Sequence, residues 1–131
     1  MRLATWNVNS IRARVVRTVE FAVRENIDVL AMQEIKCKPE QFPYEAFEEA
    51  GYHVEVHGLN QWNGVAIASR LPVTDVRTSF DGMPGFAKGH EGPDAPLEAR
   101  ALGVMVEGVR VWSLYVPNGR SLEDPHLTYK L

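Results

Sequence analysis

The chain has 131 residues and a formal net charge of -3 at pH 7. With 45% hydrophobic and 24% charged residues it has enough apolar material for one domain with its own core, which excludes an intrinsically disordered chain. The acidic balance is untypical of a nucleic-acid-binding domain, although it does not exclude one that uses a local basic surface and a metal ion.

The amino-terminal part of the sequence predicts a strand, a helix and a second strand. Residues 3–8 indicate a short buried strand, and after Ser10, at a helix N-cap position, apolar residues recur at spacings of three and four. Residues 28–32 form an apolar run typical of a central parallel strand. In such a βαβ unit Asn7 and Glu34 both lie at the carboxyl ends of strands, where ligands gather in open α/β sheets.

The rest of the sequence predicts mostly strands. A short helix is expected at residues 43–50, Glu107 and Gly108 have the composition of a hairpin turn, and residues 81–96, rich in glycine and proline, indicate a long loop. Residues 126–131 indicate a helix that has just begun, so the chain is expected to stop inside an element. The predicted strands cover residues 52–57, 64–69, 73–79, 99–106 and 109–116.

Asn7, Asn9 and Glu34 are the candidate metal-site residues. Alternate residues of a strand share a face, so two amide groups at a strand end could meet a hydrated ion or a phosphate. The glutamate suits magnesium, which takes one or two protein carboxylates and keeps its waters for a substrate phosphate. The alternatives are a turn in which the asparagines cap the helix, and a glutamate that is exposed or paired with Lys36 or Lys38.

Tyr115 is the candidate catalytic side chain, at the end of the last predicted strand and before a Pro-Asn-Gly turn and Arg120. Its phenol could donate a hydrogen bond to a phosphate oxygen or lose its proton beside a cation. The turn amides and Arg120 could also receive a phosphate. The alternative is an ordinary turn with a packed tyrosine.

Two observations concern the compartment. Cys37 is the only cysteine, which excludes an intrachain disulfide and fits a reducing environment. The sequence shows no signal-peptide core and no apolar run long enough to cross a membrane. A cytoplasmic protein without membrane partners is therefore expected.

Five segments, in this order and spacing, resemble exonuclease III, the bacterial abasic-site endonuclease branch of the endonuclease/exonuclease/phosphatase superfamily. A single segment would be a weak signal, whereas five in order are specific, and together they extend over nearly the whole chain. A local departure is Ser10, where the family usually has glycine. The segments are WNVNSIRA from Trp6, DVLAMQEIK from Asp28, NGVAIASR from Asn63, EAR from Glu98 and YVPNGR from Tyr115.

The resemblance implies an α/β fold, namely a four-layer α/β sandwich with two mixed sheets, of which residues 1–131 would form the amino-terminal half of a single domain. It implies a DNA-repair nuclease that uses Mg2+, with Mn2+ also suited to oxygen ligands. Such an enzyme cleaves double-stranded DNA beside abasic sites and removes nucleotides from 3′ ends. The matching residues are Asn7 and Glu34 for the metal with Asn9 beside them, Tyr115 and Asn118 as catalytic residues, and Arg70 and Arg100 as structural or site-supporting residues.

The resemblance also implies that part of the site is missing. The family's second half supplies an Asp-x-Asn motif and a late Asp-His pair, and this sequence contains neither. The chain alone is therefore expected to be inactive, with a carboxyl-terminal half or a complementing chain as its partner. If the chain formed only one sheet of the sandwich, an apolar face would be exposed, and a dimer through that face is a further expectation.

Two other classes of function stay open from the sequence. The chain could be a non-catalytic module, built on the nuclease fold, that binds DNA or another partner. It could also be a metal-dependent phosphodiesterase or phosphatase that acts on small substrates.

Overall fold

The chain divides into a larger and a smaller unit. The larger unit contains Met1–Thr78 with Ala99–Tyr115, and a smaller unit contains Ser79–Glu98 with Val116–Leu131. The predicted helix at residues 126–131 lies outside the described part of the chain. The structure is a computed structural model, and it describes residues 1–59, 63–79, 86–87, 90–91 and 99–116.

The first sheet of the larger unit is mixed and has helices on one face. Its strand order is β1-β2-β4-β3, with β1 parallel to β2 and β4 antiparallel to both of its neighbours. Helix α1 connects the parallel pair, so the predicted βαβ unit and the predicted short helix α2 are both confirmed. The elements are β1 (Leu3–Asn7), α1 (Ile11–Arg24), β2 (Val29–Gln33), a 3-10 turn (Pro39–Gln41), α2 (Tyr44–Glu49), β3 (His53–His57) and β4 (Val65–Ser69).

Successive side chains along a strand point to opposite faces of the sheet. The helices pack against one of these faces, the outer one. Leu30 and Met32 of β2 point toward the helices and are fully buried in one apolar cluster with Ile11, Ala22 and Phe47. No helix within the described ranges is both long and apolar enough to cross a membrane.

Ser10 precedes α1, but its side chain makes no capping hydrogen bond. Its φ of 82° lies in the left-handed region, and its amide donates to the carbonyl oxygen of Glu34 at 2.8 Å. The amide of Ile11 likewise donates to the carbonyl oxygen of Ile35 at 3.1 Å. Ser10 therefore occupies the predicted N-cap position, but pairing with the segment after β2, rather than a side-chain cap, shapes the entry to α1. The positive φ also explains why glycine suits this position.

The second half of the described chain is almost entirely strand. β5, β8 and β9 form an antiparallel sheet in the larger unit, and β6 pairs with β7 as a ribbon in the smaller unit. The expectation of an uninterrupted loop was wrong at this ribbon, because strands of two residues are too short to leave a readable alternation. The strands are β5 (Thr74–Arg77), β6 (Phe86–Ala87), β7 (His90–Glu91), β8 (Ala101–Val106) and β9 (Val109–Leu114).

Glu107 and Gly108 form the predicted hairpin turn between β8 and β9. Their φ values of 48° and 79° are both left-handed, as a two-residue turn of the primed type requires. The turn leads into β9, which ends at Leu114, directly before Tyr115.

The second sheet packs against the inner face of the first within the larger unit. The expectation of an exposed inner sheet face was therefore wrong: the chain contributes strands to both sheets, and their facing side chains bury one another. The face through which a dimer was expected is thus already covered within the larger unit. The described part thus contains a helical layer and two packed sheets, and the α/β class is confirmed. The buried inter-sheet residues are Val29, Ala31, Val65 and Ile67 from the first sheet and Leu102, Val104, Val106 and Val111 from the second.

Candidate active site

The carboxyl ends of β1 and β2 bring Asn7 and Glu34 together. The strands are parallel and pair Asn7 with Gln33, so Glu34 follows directly beside Asn7. Nδ2 of Asn7 donates a hydrogen bond to Oε1 of Glu34 at 3.1 Å. Glu34 has a φ of 53°, a conformation that non-glycine residues adopt mainly where surrounding structure enforces it. Its side chain is 20% exposed, so the carboxylate is accessible to a ligand from solvent.

Asn9 joins this cluster through Lys36. The amide N–H of Asn9 donates to Oδ1 of Asn7 at 3.2 Å, and Nζ of Lys36 donates to Oδ1 of Asn9 at 2.6 Å. The same ammonium lies 3.7 Å from Oε2 of Glu34. The structure thus shows the pairing with Lys36 that was one alternative for Glu34, and it also keeps the carboxylate at the strand end where a metal ligand was predicted.

The second sheet brings Tyr115 to the same carboxylate. The phenol interacts with the carboxylate of Glu34, and the guanidinium of Arg100 lies 4.6 Å from the centre of the tyrosine ring. Burial, followed by the hydrogen bond and the charge of Glu34, raises the pKa of Tyr115, while Arg100 opposes this shift. The phenol is therefore protonated at neutral pH.

Arg70 lies at the other end of β2. Its Nη2 donates to Oδ1 of Asp28 at 2.7 Å and its Nη1 donates to Oδ1 of Asn26 at 2.9 Å. Asp28 immediately precedes β2 and Glu34 follows it, so the length of the strand, about 15 Å, separates Arg70 from the cluster. Of the two matching arginines, Arg100 is at the cluster, whereas the contacts of Arg70 are structural.

A buried hydrogen-bond network beside the cluster connects the two sheets. Nε2 of Gln33 donates to Oγ1 of Thr5 and to Oγ of Ser113, both at 3.0 Å. Oγ of Ser113 in turn donates to a backbone carbonyl of β2 at 2.8 Å. Gln33 directly precedes Glu34, and Ser113 lies two residues before Tyr115. Sequence reasoning missed this network, and its one signal was a glutamine between apolar strand residues.

The donor chemistry of the cluster fits a hard divalent cation. Glu34 offers a carboxylate and Asn7 a carboxamide oxygen, and magnesium needs few protein ligands because water and phosphate oxygens complete its shell. No group of three or more His, Cys, Asp and Glu side chains within the described ranges is placed to hold a metal ion. Asn118 and Arg120, two further predicted site residues, lie outside the described part of the chain.

The fold and this cluster define an α/β-sandwich protein with an oxygen-rich site at the ends of its strands. The fold is the one that the sequence resemblance implied. The chain belongs to the Endonuclease/Exonuclease/phosphatase family, whose model matches residues 4–121.

Similar proteins include exonucleases and an AP endonuclease. Exodeoxyribonuclease III of Haemophilus influenzae is 36% identical over 80 residues, which are 61% of this chain and 30% of that protein. An AP endonuclease from Archaeoglobus fulgidus is 34% identical with a TM-score of 0.82, and a 3′-5′ exonuclease from Neisseria meningitidis is 34% identical with a TM-score of 0.84. A structure of the Neisseria protein bound to a product DNA hairpin, where it is described as a 3′ phosphatase, is 35% identical with a TM-score of 0.82.

These similarities extend over most of this chain but only part of its relatives. Each of the solved structures aligns with 99% of this chain and with 47% of its own length. The chain therefore spans about half the length of these relatives. The resemblance to the exonuclease III branch is confirmed.

Proposed function

We propose that this chain carries part of the active site of a divalent-metal-dependent DNA-repair nuclease of the exodeoxyribonuclease III type. The proposed reaction is hydrolysis of phosphodiester bonds at abasic sites and at the 3′ ends of double-stranded DNA. The observation that carries the proposal is the convergence of Asn7 and Tyr115, from two different sheets, on the carboxylate of Glu34. A helix-capping asparagine or a packed structural tyrosine would not need such a partner.

Glu34 and the carboxamide oxygen of Asn7 are the proposed ligands of Mg2+. When bound, this ion would neutralise charge on the scissile phosphate. Tyr115 is protonated at neutral pH and donates a hydrogen bond to a phosphate oxygen. Asn118 and Arg120 follow Tyr115 closely in the sequence, and we assign them to the phosphate as well.

A basic surface beside the cluster supports DNA as the substrate. Arg12, Arg14 and Arg17 are exposed at the start of α1. Nη2 of Arg12 donates to the carbonyl oxygen of Lys36 at 3.3 Å, and Nη1 of Arg14 donates to that of Asn9 at 2.5 Å, so two of the three arginines adjoin the cluster. Local positive charge of this kind attracts a phosphate backbone even where the net charge of the chain is negative.

We further propose that a carboxyl-terminal half, in a longer chain or a complementing one, completes this site and the single domain to which residues 1–131 belong. The length of the solved relatives supports this proposal. So do the two sheets, because β1 and β9 are edge strands of the described sheets and border one groove of about 410 Å3. Leu3 and Leu114, both about half exposed, lie along this groove, and open edges accept further strands.

The test is Mg2+-dependent incision of a duplex that carries one abasic site. We expect no incision by the 131-residue chain alone, and incision when the carboxyl-terminal half of a solved relative is added as a second polypeptide. In that mixture Glu34→Gln should lower the rate about a hundredfold or more, because metal catalysis supplies several kcal/mol. Glu49→Gln, at an exposed position of α2, is the matched control and should keep the rate.

Each contrary result points to a different error. A near-normal rate for Glu34→Gln would remove the metal-ligand assignment, and incision by the chain alone would remove the need for a second half. Binding of DNA without turnover in the complete mixture would favour a non-catalytic module. Turnover of a soluble phosphoester with none on duplex DNA would favour a small-substrate phosphodiesterase.

We also propose a cytoplasmic location. The only cysteine, Cys37, is fully buried, and burial raises the pKa of its thiol. A protonated, inaccessible thiol requires no oxidising environment and forms no intrachain disulfide. Fractionation of cells that express a tagged chain would test the location.

A further inference from the structure

The ammonium group of Lys36 stands beside the carboxylate of Glu34. Nζ of Lys36 is 3.7 Å from Oε2, while Nδ2 of Asn7 donates to Oε1, so each carboxylate oxygen faces a donor. The side chains of Lys36 and Glu34 are 33% and 20% exposed. Their attraction is therefore less screened by water than that of a fully exposed ion pair.

Lys36 is held in this position from both its backbone and its side chain. Its φ of 55° is left-handed, its amide donates to the carbonyl oxygen of Asn63 at 2.9 Å, and its own carbonyl accepts from Arg12. At the other end, Nζ donates to Oδ1 of Asn9 at 2.6 Å. A surface lysine normally keeps its rotamer freedom, so contacts at both ends indicate a side chain fixed beside the carboxylate.

We propose that Lys36 is the resident counter-ion of Glu34, a built-in cation with which a divalent metal ion must compete. This inference rests on the proposed metal-binding role of Glu34, and it assigns the residue that sets the affinity for the ion. The ammonium and the metal ion are both positive, and each is attracted by the same carboxylate, so Lys36 weakens metal binding. A purely structural role would have the opposite effect, because losing the bond to Asn9 would loosen the cluster and weaken binding further.

The competition has a consequence for the reaction sequence. A substrate phosphate adds negative charge beside the ammonium, which gives the lysine a second anionic partner. The repulsion between Lys36 and the ion is then partly offset. Metal binding is therefore weaker without the substrate than with it.

The test is a calorimetric titration of the 131-residue chain with Mg2+, and in parallel with Mn2+, in the absence of DNA. We expect Lys36→Met to bind the ion about tenfold more tightly, the effect of removing a unit positive charge beside a divalent ion in partly exposed surroundings. Lys36→Arg keeps the charge and should stay within about twofold of the original chain. Lys38→Met removes an equal charge from an exposed position two residues away, and its affinity should not change.

The variants are compared only where a thermal melt without metal shows that each is folded. If Lys36→Met is not folded, Lys36→Gln replaces it, and the same increase in metal affinity is expected. If the neutral Lys36 variant binds the metal ion no more tightly than the original chain, and Glu34→Gln does not bind it, the counter-ion role is overturned. The metal site then still stands. Binding that is unchanged in Glu34→Gln, or absent from both the original chain and the neutral variant, would overturn the metal site and the counter-ion role together.

Discussion

At the residue scale, β2 carries a carboxylate at each end, and the two have different surroundings. Asp28 accepts from the backbone N–H of Arg2 at 2.6 Å and from the guanidinium of Arg70, and these contacts, the backbone one first, lower the pKa of its carboxyl group. Glu34 contacts an amide, a phenol and an ammonium, groups that an incoming cation can rearrange or replace. The first arrangement is that of a structural ion pair, and the second is that of a ligand site.

The contrast predicts a separation of stability from metal affinity. Arg70→Met should lower the Tm by about 3–6 °C, because it leaves Asp28 and Asn26 without their shared donor. The same variant should bind Mg2+ as the original chain does, since Arg70 is at the far end of the strand. Glu34→Gln should show the reverse, with a Tm close to the original and little Mg2+ binding. Thermal melts and calorimetry on both variants would check this, and weaker Mg2+ binding by folded Arg70→Met would contradict it.

At the element scale, the position of β9 relative to β2 determines whether the site forms. Glu34 extends from β2 and Tyr115 from β9, so the two meet only if the sheets keep one alignment. Gln33 and Ser113 provide a polar connection at this point in an interface that is otherwise apolar. This buried network favours one alignment over alternatives, because sliding the sheets would leave its donors unpaired.

Removing this connection should cost stability. Gln33→Met keeps the size of the side chain but deprives Thr5 and Ser113 of their donor, and the free energy of unfolding should fall by about 1–3 kcal/mol. Thr5→Val removes one of the two acceptors and should cost less. Urea unfolding of the three chains would measure the difference. An unchanged midpoint for Gln33→Met would mean that apolar packing alone aligns the sheets.

At the scale of the larger unit, two sheets pack within one chain. Val104 of β8 is fully buried between them, whereas Val109, on the neighbouring strand β9, is 47% exposed. The inter-sheet face is therefore buried by residues of the larger unit itself.

A charge placed in this interface tests the arrangement. Val104→Asp buries an unpaired carboxylate and should cost about 4 kcal/mol or more, enough to unfold the chain at moderate temperature. Val109→Asp, its matched control on the same sheet, should change the free energy of unfolding by less than about 1 kcal/mol. Circular dichroism melts at low protein concentration would report both. Similar melting of Val104→Asp and the original chain would show that the two sheets do not pack within the chain.

Local patterns in the sequence determined the helices and strands of the described chain. Apolar spacing predicted α1, a short segment closed by Gly51 predicted α2, continuous or alternating apolar runs predicted β1–β5, β8 and β9, and Glu107-Gly108 predicted the hairpin turn. The contact of Asn7 with Glu34 was also predictable, because two parallel strands joined by one helix end side by side. Ordered motifs identified the family for the same reason: each motif is continuous in the chain. The functional roles of the site residues remain predictions.

The tertiary structure alone decided which side chains meet from distant segments. The hydrogen bond from Gln33 to Ser113 joins residues 80 positions apart, and Tyr115 is similarly far from Glu34. Such contacts depend on how two sheets stack, which neither spacing nor motif order specifies. The same physics separated Arg70 from the cluster and covered the inner sheet face. Secondary structure follows from periodicity along one segment, whereas a site built from two sheets follows from their packing.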